Sequence, residues 1–325
     1  MTSATPSNEI RLTRIYDAPV SAVWDAWTDL AQVAQWWGPR GFTLTTHSKD
    51  LRPGGTWKYT MHGPDGTDYP NTTLYHEVVK HSRLVYDHGA SDDRPPLFRV
   101  TVQFTDLKGK TKMDMSMTLA TAEAAAETRT FIKKAGGDGT WDRLAEHLAK
   151  KLSGKEHFVI NRSFDAPIET VFQMWADPRL LSQWLAPTGC SMAILRGEIE
   201  PGGTVFYSMT GGDGSTMFGR VEFLKIERPG LMVSTQQFCD ANERVARHPK
   251  APLWPETVLR TVELAAEGAE RTRVTVTWEP RGQVTREELE AFVNARAGMT
   301  QGWTGSFDKL EAKLADASRT AGHLV

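Results

Sequence analysis

Residues 52–61 read RPGGTWKYTM, and 148 positions further on, at 200–209, the chain reads EPGGTVFYSM. The same spacing relates Asp17-Ala18-Pro19 to Asp165-Ala166-Pro167, Trp27 to Trp175, Gln35-Trp36 to Gln183-Trp184, and Gly41 to Gly189. A period this long repeats a whole domain, because solenoid repeats recur every ~20–50 residues. Beyond Gly66 and Gly214 the spacing drifts, with Leu84 best matched to Leu231 and Met113 to Val274, so insertions fall in the later part of the second copy. A helical pattern stops and a strand pattern starts near Leu152-Ser153-Gly154-Lys155. These features predict domains at 8–152 and 155–317, with flexible tails at 1–7 and 318–325.

Each copy opens on an alternating segment, IRLTRIY at 10–16 and FVINRSF at 158–164, which suits a half-buried strand. Asp-Ala-Pro then ends the strand and starts a helix, with the aspartate expected to cap free N–H groups and the proline to fit the first turn. Val20, Val23, Trp24 and Trp27 recur at helical spacing, as do Ile168, Val171, Phe172 and Trp175, and Asp29 and Asp177 read as caps of a second short helix. Further strands follow. Trp57, Tyr59 and Met61 share one face, as do Phe98, Val100, Val102 and Phe104, and then Met113, Met115 and Met117. Their counterparts are Val205, Tyr207 and Met209, then Val258, Val262 and Leu264, and then Val274, Val276 and Trp278. Clean alternation implies one covered and one wet face, as in an antiparallel sheet.

Pro-Gly-Gly between two such strands supplies a residue that cannot donate to a ladder and two that accept positive φ, so it predicts a hairpin turn. A phosphate-binding glycine loop would open directly into a helix, and this one does not. Each copy closes on a long amphipathic helix. In the second, Thr285 with Glu288 forms a capping box, and a stripe from Leu289, Phe292 and Val293 resumes at Trp303, Phe307, Leu310 and Leu314. In the first the stripe is Trp141, Leu144, Leu148 and Leu152, and Gly136-Gly137 predicts a break before it.

Composition narrows the function classes. A chain with 40% apolar and 24% charged residues is globular, and a net charge of −2 offers no basic footprint for nucleic acid or an anionic membrane. No run reaches the length of a membrane span, and the first residues do not form a secretory signal. Cys190 and Cys239 are the only cysteines and lie in no metal-ligand spacing, so neither a disulfide framework, a metal site nor a cofactor is expected, and the location expected is cytoplasmic. GxSxG, HExxH, Walker and dinucleotide motifs are absent, which leans away from an enzyme. His62 and His76 have no histidine counterpart in the second copy, and His62 lies with Lys58 and Thr60 on the solvent side.

The strand–DAP–helix openings, the Trp36-Trp37 and Gln183-Trp184-Leu185 helix ends, DLRPGGTWKYTM with EIEPGGTVFYSM, and the closing TWDRLAEHL and SFDKLEAKL together resemble a known family. It is the AHSA1-like family of the SRPBCC (START-like, Bet v 1-like) superfamily, in two tandem copies. The resemblance implies an α+β helix-grip fold, each sheet curling around its closing helix to leave a cavity for a small hydrophobic or amphipathic ligand. It also carries two other readings, an aromatase or cyclase-like enzyme and a chaperone-interaction module. The cochaperone that named the family has an additional N-terminal domain, whereas a short polar tail precedes the first copy here.

Candidates for a cavity wall are Trp37, Trp57, Tyr59, Met61, Met113, Met115, Met117 and Trp141 in the first copy. In the second they are Tyr207, Met209, Trp278, Phe292 and Trp303. The same residues at strand or helix spacing serve equally as plain core. Tyr59 and Tyr207 recur and face inward, so each phenol needs a hydrogen-bond partner, with a backbone carbonyl expected first and a ligand second. The second copy also carries a longer basic segment, ANERVARHPKAPLWPE at 241–256, against ASDDRPPL at 90–97, so the two copies are expected to differ in ligand or one to be purely structural.

Overall fold

The computed structural model describes residues 7–90, 94–134 and 139–322, and the chain forms two compact units, Met1–Lys155 and Glu156–Val325. In the first, β1 (Glu9–Tyr16) is followed by α1 (Val20–Thr28) and α2 (Leu30–Trp36). Six strands come next: β2 (Thr43–Lys49), β3 (Thr56–His62), β4 (Asp68–Val79), β5 (Arg83–Ala90), β6 (Phe98–Asp106) and β7 (Thr111–Thr118). Helices α3 (Ala122–Lys134) and α4 (Gly139–Ser153) end the unit. The second repeats this plan with β8 (Phe158–Phe164), α5 (Ile168–Ala176), α6 (Pro178–Leu181), β9 (Ser191–Arg196), β10 (Thr204–Thr210), β11 (Thr216–Glu227), β12 (Leu231–Cys239), β13 (Thr257–Ala266), β14 (Thr272–Arg281), α7 (Arg286–Asn294) and α8 (Arg296–Gly322).

Each sheet is antiparallel, ordered β1-β7-β6-β5-β4-β3-β2 in one unit and β8-β14-β13-β12-β11-β10-β9 in the other. The two helices after the first strand carry the chain across the sheet, so the first strand and the next lie at opposite edges. Each sheet buries one face under its helices, with separate cores around Trp36, Val102 and Leu144 and around Trp184, Val262 and Leu310. The duplication reaches single hydrogen bonds. Trp36 Nε1 donates to the Ala26 carbonyl at 3.0 Å, and Trp184 Nε1 donates to the Met174 carbonyl at the same distance.

The paired Pro-Gly-Gly segments join β2 to β3 and the equivalent β9 to β10. Gly54 and Gly202 hold φ of 81° and 80°, open to glycine at no steric cost. A Cβ on Gly55 would stand 2.2 Å from the Asp50 carbonyl oxygen, and one on Gly203 would stand 2.6 Å from that of Glu198. The turn also docks on the next strand, with the Gly54 and Gly202 N–H groups donating to Tyr75 and Phe223, each at 2.7 Å. Gly55→Ala is therefore expected to destabilise the first unit by more than about 1 kcal/mol, read as a lowered midpoint in a urea titration.

Four sequence expectations need correction. Asp17 and Asp165 do not cap α1 and α5, whose N-caps are Pro19 and Pro167 without a side-chain bond; Asp29 and Asp177 do cap α2 and α6. Buried Thr111 and Thr272 hold the turns instead, donating to the Ala18 and Ala166 carbonyls at 2.7 and 2.8 Å. The second unit ends on two helices where one was expected, α7 and α8 parting at Ala295, while the break expected at Gly136-Gly137 in the first unit lies outside the described residues. Helix α8 runs to Gly322, past the expected domain end at residue 317. Finally, Leu84 faces Val102 as Met232 faces Val262, so the counterpart of Leu84 is Met232 and the spacing of 148 persists through β5 and β12. The insertion is concentrated in the β12–β13 connection.

Candidate functional site

In the second unit a cavity of about 560 Å³ lies between the inner face of the sheet and α8. The sheet side presents Val205, Tyr207 and Met209 on β10, Val221 and Phe223 on β11, Gln236 on β12, Arg260 on β13 and Trp278 on β14. The helix side presents Gly298, Met299, Gly302, Trp303 and Ser306, positions three and four apart that share one face. Three of those five have small side chains, which leaves room beneath the helix. Trp303 stacks on Trp175 with centroids 6.0 Å apart and meets the Trp278 ring edge-on at 6.1 Å. The long β12–β13 connection contributes His248, Ala251 and Trp254 to the wall. Its Arg247 Nη1 donates to Glu288 Oε1 at 2.6 Å and to the Trp254 carbonyl at 2.9 Å, which ties this segment to the capping box of α7.

Polar groups gather at the sheet. Tyr207 lies flat across Gly219 on the neighbouring strand, where a Cβ would stand 2.5 Å from the phenol oxygen. Gln236 Nε2 donates to Tyr207 Oη at 2.7 Å, so the partner is a side chain and not the expected backbone carbonyl. Burial pushes the Tyr207 phenol up to about 12, despite the opposing pull of Arg260. Arg260 is 5% exposed, with Nε donating to Ser234 Oγ at 3.2 Å. Burial lowers its guanidinium to about 10, so it remains charged at neutral pH.

The first unit fills the matching region with rings. Trp37 stands where the second unit has Leu185, and Trp57 where it has Val205. Trp57 lies 5.2 Å from Trp37 and 4.1 Å from Tyr59, centroid to centroid, and all three are buried. Met113 and Met115 are buried in the same core, with Met61, Met117 and Trp141 packed against it. Tyr59 Oη lies 3.3 Å from His88 Nδ1, the counterpart of the Gln236 contact. Of the second-unit candidates, Tyr207, Met209, Trp278 and Trp303 meet around the cavity, whereas Phe292 is fully buried beside Trp254, 5.5 Å from its ring. His62 and His76 sit in cross-strand polar clusters with Asp68 and Asp87.

The main residue passed over in the sequence is Arg260. It falls on the inward face between Val258 and Val262, and a charge inside an apolar alternation was the available signal. Gly219 was a second signal, since glycine inside a strand marks close approach of another group. Among the described residues, no helix is long and apolar enough to cross a membrane, and no group of three His, Cys, Asp or Glu side chains is placed to hold a metal ion.

Two tandem antiparallel sheets with closing helices define α+β helix-grip architecture. A family model described as Activator of Hsp90 ATPase homolog 1-like protein matches residues 17–149 and 165–315. The chain belongs to that family, within the SRPBCC superfamily, as two tandem copies. Among similar solved structures, protein Ms6760 from Mycobacterium smegmatis is 23% identical, with a TM-score of 0.41 over 49% of this chain and 90% of that one. A protein from Arthrobacter aurescens is 28% identical, with a TM-score of 0.42 over 49% and 86%. DynU16, described as a protein in the dynemicin biosynthetic locus, is 16% identical, with a TM-score of 0.34 over 95% and 100%. No curated protein matches the chain.

Proposed function

We propose that the second unit takes up small hydrophobic or amphipathic molecules in its cavity and that the first unit serves as a structural partner domain. One observation carries this reading. The two units share a backbone plan, yet where the first packs two indoles the second has Leu185 and Val205 beside a cavity of about 560 Å³. That volume lies within the ~300–1,000 Å³ typical of ligand sites, which combine apolar walls with a few placed polar groups. Tyr207, Met209, Trp278 and Trp303 are the proposed contacts, with Met299 adapting to ligand shape and Trp254 completing the wall.

Native mass spectrometry of the purified chain, followed by denaturation, tests the reading. The expected result is a stoichiometric small-molecule adduct that is absent from a Val205→Trp variant. A bare wild-type mass, together with no uptake of an added neutral naphthylamine dye, would overturn it.

A second reading, an aromatase or cyclase-like enzyme, is supported by Arg260, Tyr207 and His248 lining one cavity. Arg260 would then stabilise a developing enolate oxygen, with Tyr207 as a hydrogen-bond donor. The binding reading is favoured because these groups are arranged as donors. Burial pushes the Tyr207 phenol up to about 12, and His248 Nδ1 already accepts the Lys250 backbone N–H at 3.1 Å, leaving its other nitrogen as the N–H donor of the neutral ring.

A further inference from the structure

We infer that the molecule held in the second unit's cavity carries an anionic head group, a carboxylate or its chemical equivalent, seated against Arg260 and Tyr207. This rests on the ligand-binding reading above and narrows it to a class of ligand.

Arg260 supplies the first argument. It lies on the inward face of β13 between apolar neighbours, 5% exposed, and lines the cavity. Its Nε is taken by Ser234 Oγ, while among the described residues its two terminal amino groups have neither a hydrogen-bond acceptor nor a carboxylate partner. Buried charges are ordinarily paired, because removing an ion from water is strongly unfavourable unless an opposite charge replaces the lost hydration. An unpaired guanidinium facing a cavity is complementary to a planar two-oxygen anion, which it can bind through two parallel N–H bonds.

Tyr207 supplies the second. Its oxygen already accepts from Gln236, so its own proton is free to donate, and Gly219 lets the ring lie flat against the sheet. Arg260 and Tyr207 lie within electrostatic range of each other. A positive charge and a neutral donor on one wall suit an acceptor-only group and repel an ammonium ion.

The third argument is divergence between the units. By strand register, the first unit has Val100 in place of Arg260 and Tyr86 in place of Ser234. The charge is therefore present beside the described cavity and absent from the matching position of the first unit, where two indoles pack together. An arginine needed only for the sheet would have no reason to follow the cavity.

The test compares two dyes of similar shape, anilinonaphthalene sulfonate and neutral N-phenylnaphthylamine, on the full chain and on Arg260→Met and Val205→Trp variants. Wild type is expected to bind the sulfonate roughly ten to a hundredfold more tightly than the neutral dye, the range of a charge-assisted pair. Arg260→Met is expected to erase that preference, retain the neutral dye, and melt no lower than wild type, since it removes an unpaired buried charge. Equal affinities for both dyes in wild type and in Arg260→Met would overturn the inference while leaving the binding reading intact. Failure of wild type to bind either dye in a manner abolished by Val205→Trp would overturn both. A measurement on wild type alone guards against a variant that does not fold. A long-chain carboxylate should displace the neutral dye at least tenfold better than its methyl ester, and equal displacement would refute the anionic head.

Discussion

Replacing Leu185 and Val205 together with tryptophan is expected to abolish ligand uptake by the second unit, weakening a neutral dye by at least about a hundredfold while the unit stays folded. Overpacking a filled core ordinarily costs about 1–3 kcal/mol, because the added atoms force off-rotamer side chains. Here the added rings would enter the cavity beside Leu185 and Val205. The first unit shows that the backbone accepts them, with Trp37 and Trp57 packed edge to face at 5.2 Å. Fluorescence titration and a thermal melt read the two halves of the prediction. Undiminished uptake would place the site elsewhere, and a collapsed melt would show that the units differ in backbone as well as in side chains.

The reciprocal change, Trp37→Leu with Trp57→Val, is expected to destabilise the first unit by about 3–6 kcal/mol, since large-to-small changes lose both transfer energy and packing around the void left behind. Besides its ring contacts, Trp57 donates from Nε1 to Thr46 Oγ1 at 3.1 Å and lies under the Lys49 ammonium at 4.5 Å. Burial has already lowered Lys49 to about 8, and loss of the ring removes an attraction that helps it stay charged. For a domain of this size the expected fall in melting temperature is about 10–20 °C, confined to the first unit's transition because each unit has its own core. Uptake by the second unit should be unchanged. A shift of a degree or two would mean that the indoles are not integral to the first core.

Much of this fold is legible in one sequence because the sequence is written twice. Pro-Gly-Gly at both positions, Asp29 with Asp177, and the alternating strands each identify an element through local chemistry: a turn needing positive φ, a cap, a half-buried face. Local chemistry was less secure where the backbone had two solutions. Asp17 and Asp165 sit where a cap would suit, yet Pro19 and Pro167 take that place and a distant threonine satisfies the turn. The match of Leu84 to Leu231 looked right by residue type, but only cross-strand register shows that Met232 is the equivalent.

The candidate site divides in the same way. Alternation identified Tyr207, Met209 and Trp278 as inward-facing, yet it assigned the same role to Trp57 and Met113, because a core and a cavity wall both require apolar residues. Whether such a residue touches another side chain or empty space depends on volumes summed across strands and helices far apart in sequence. The substitutions that open the cavity, Trp37 to Leu185 and Trp57 to Val205, were visible in the paired motifs, but their effect required knowing that both rings point at one place. Arg260 was likewise visible as a charge. Only the packed sheet shows that, among the described residues, Ser234 is its hydrogen-bond partner and no carboxylate pairs with it. The sequence alone determined the duplicated domain, the succession of strands and helices within it and the inward-facing apolar set, since these follow from periodicity and turn chemistry. Tertiary structure decided where the second copy's cavity lies and which charge faces it, because close packing is a property of side chains brought together from many segments at once.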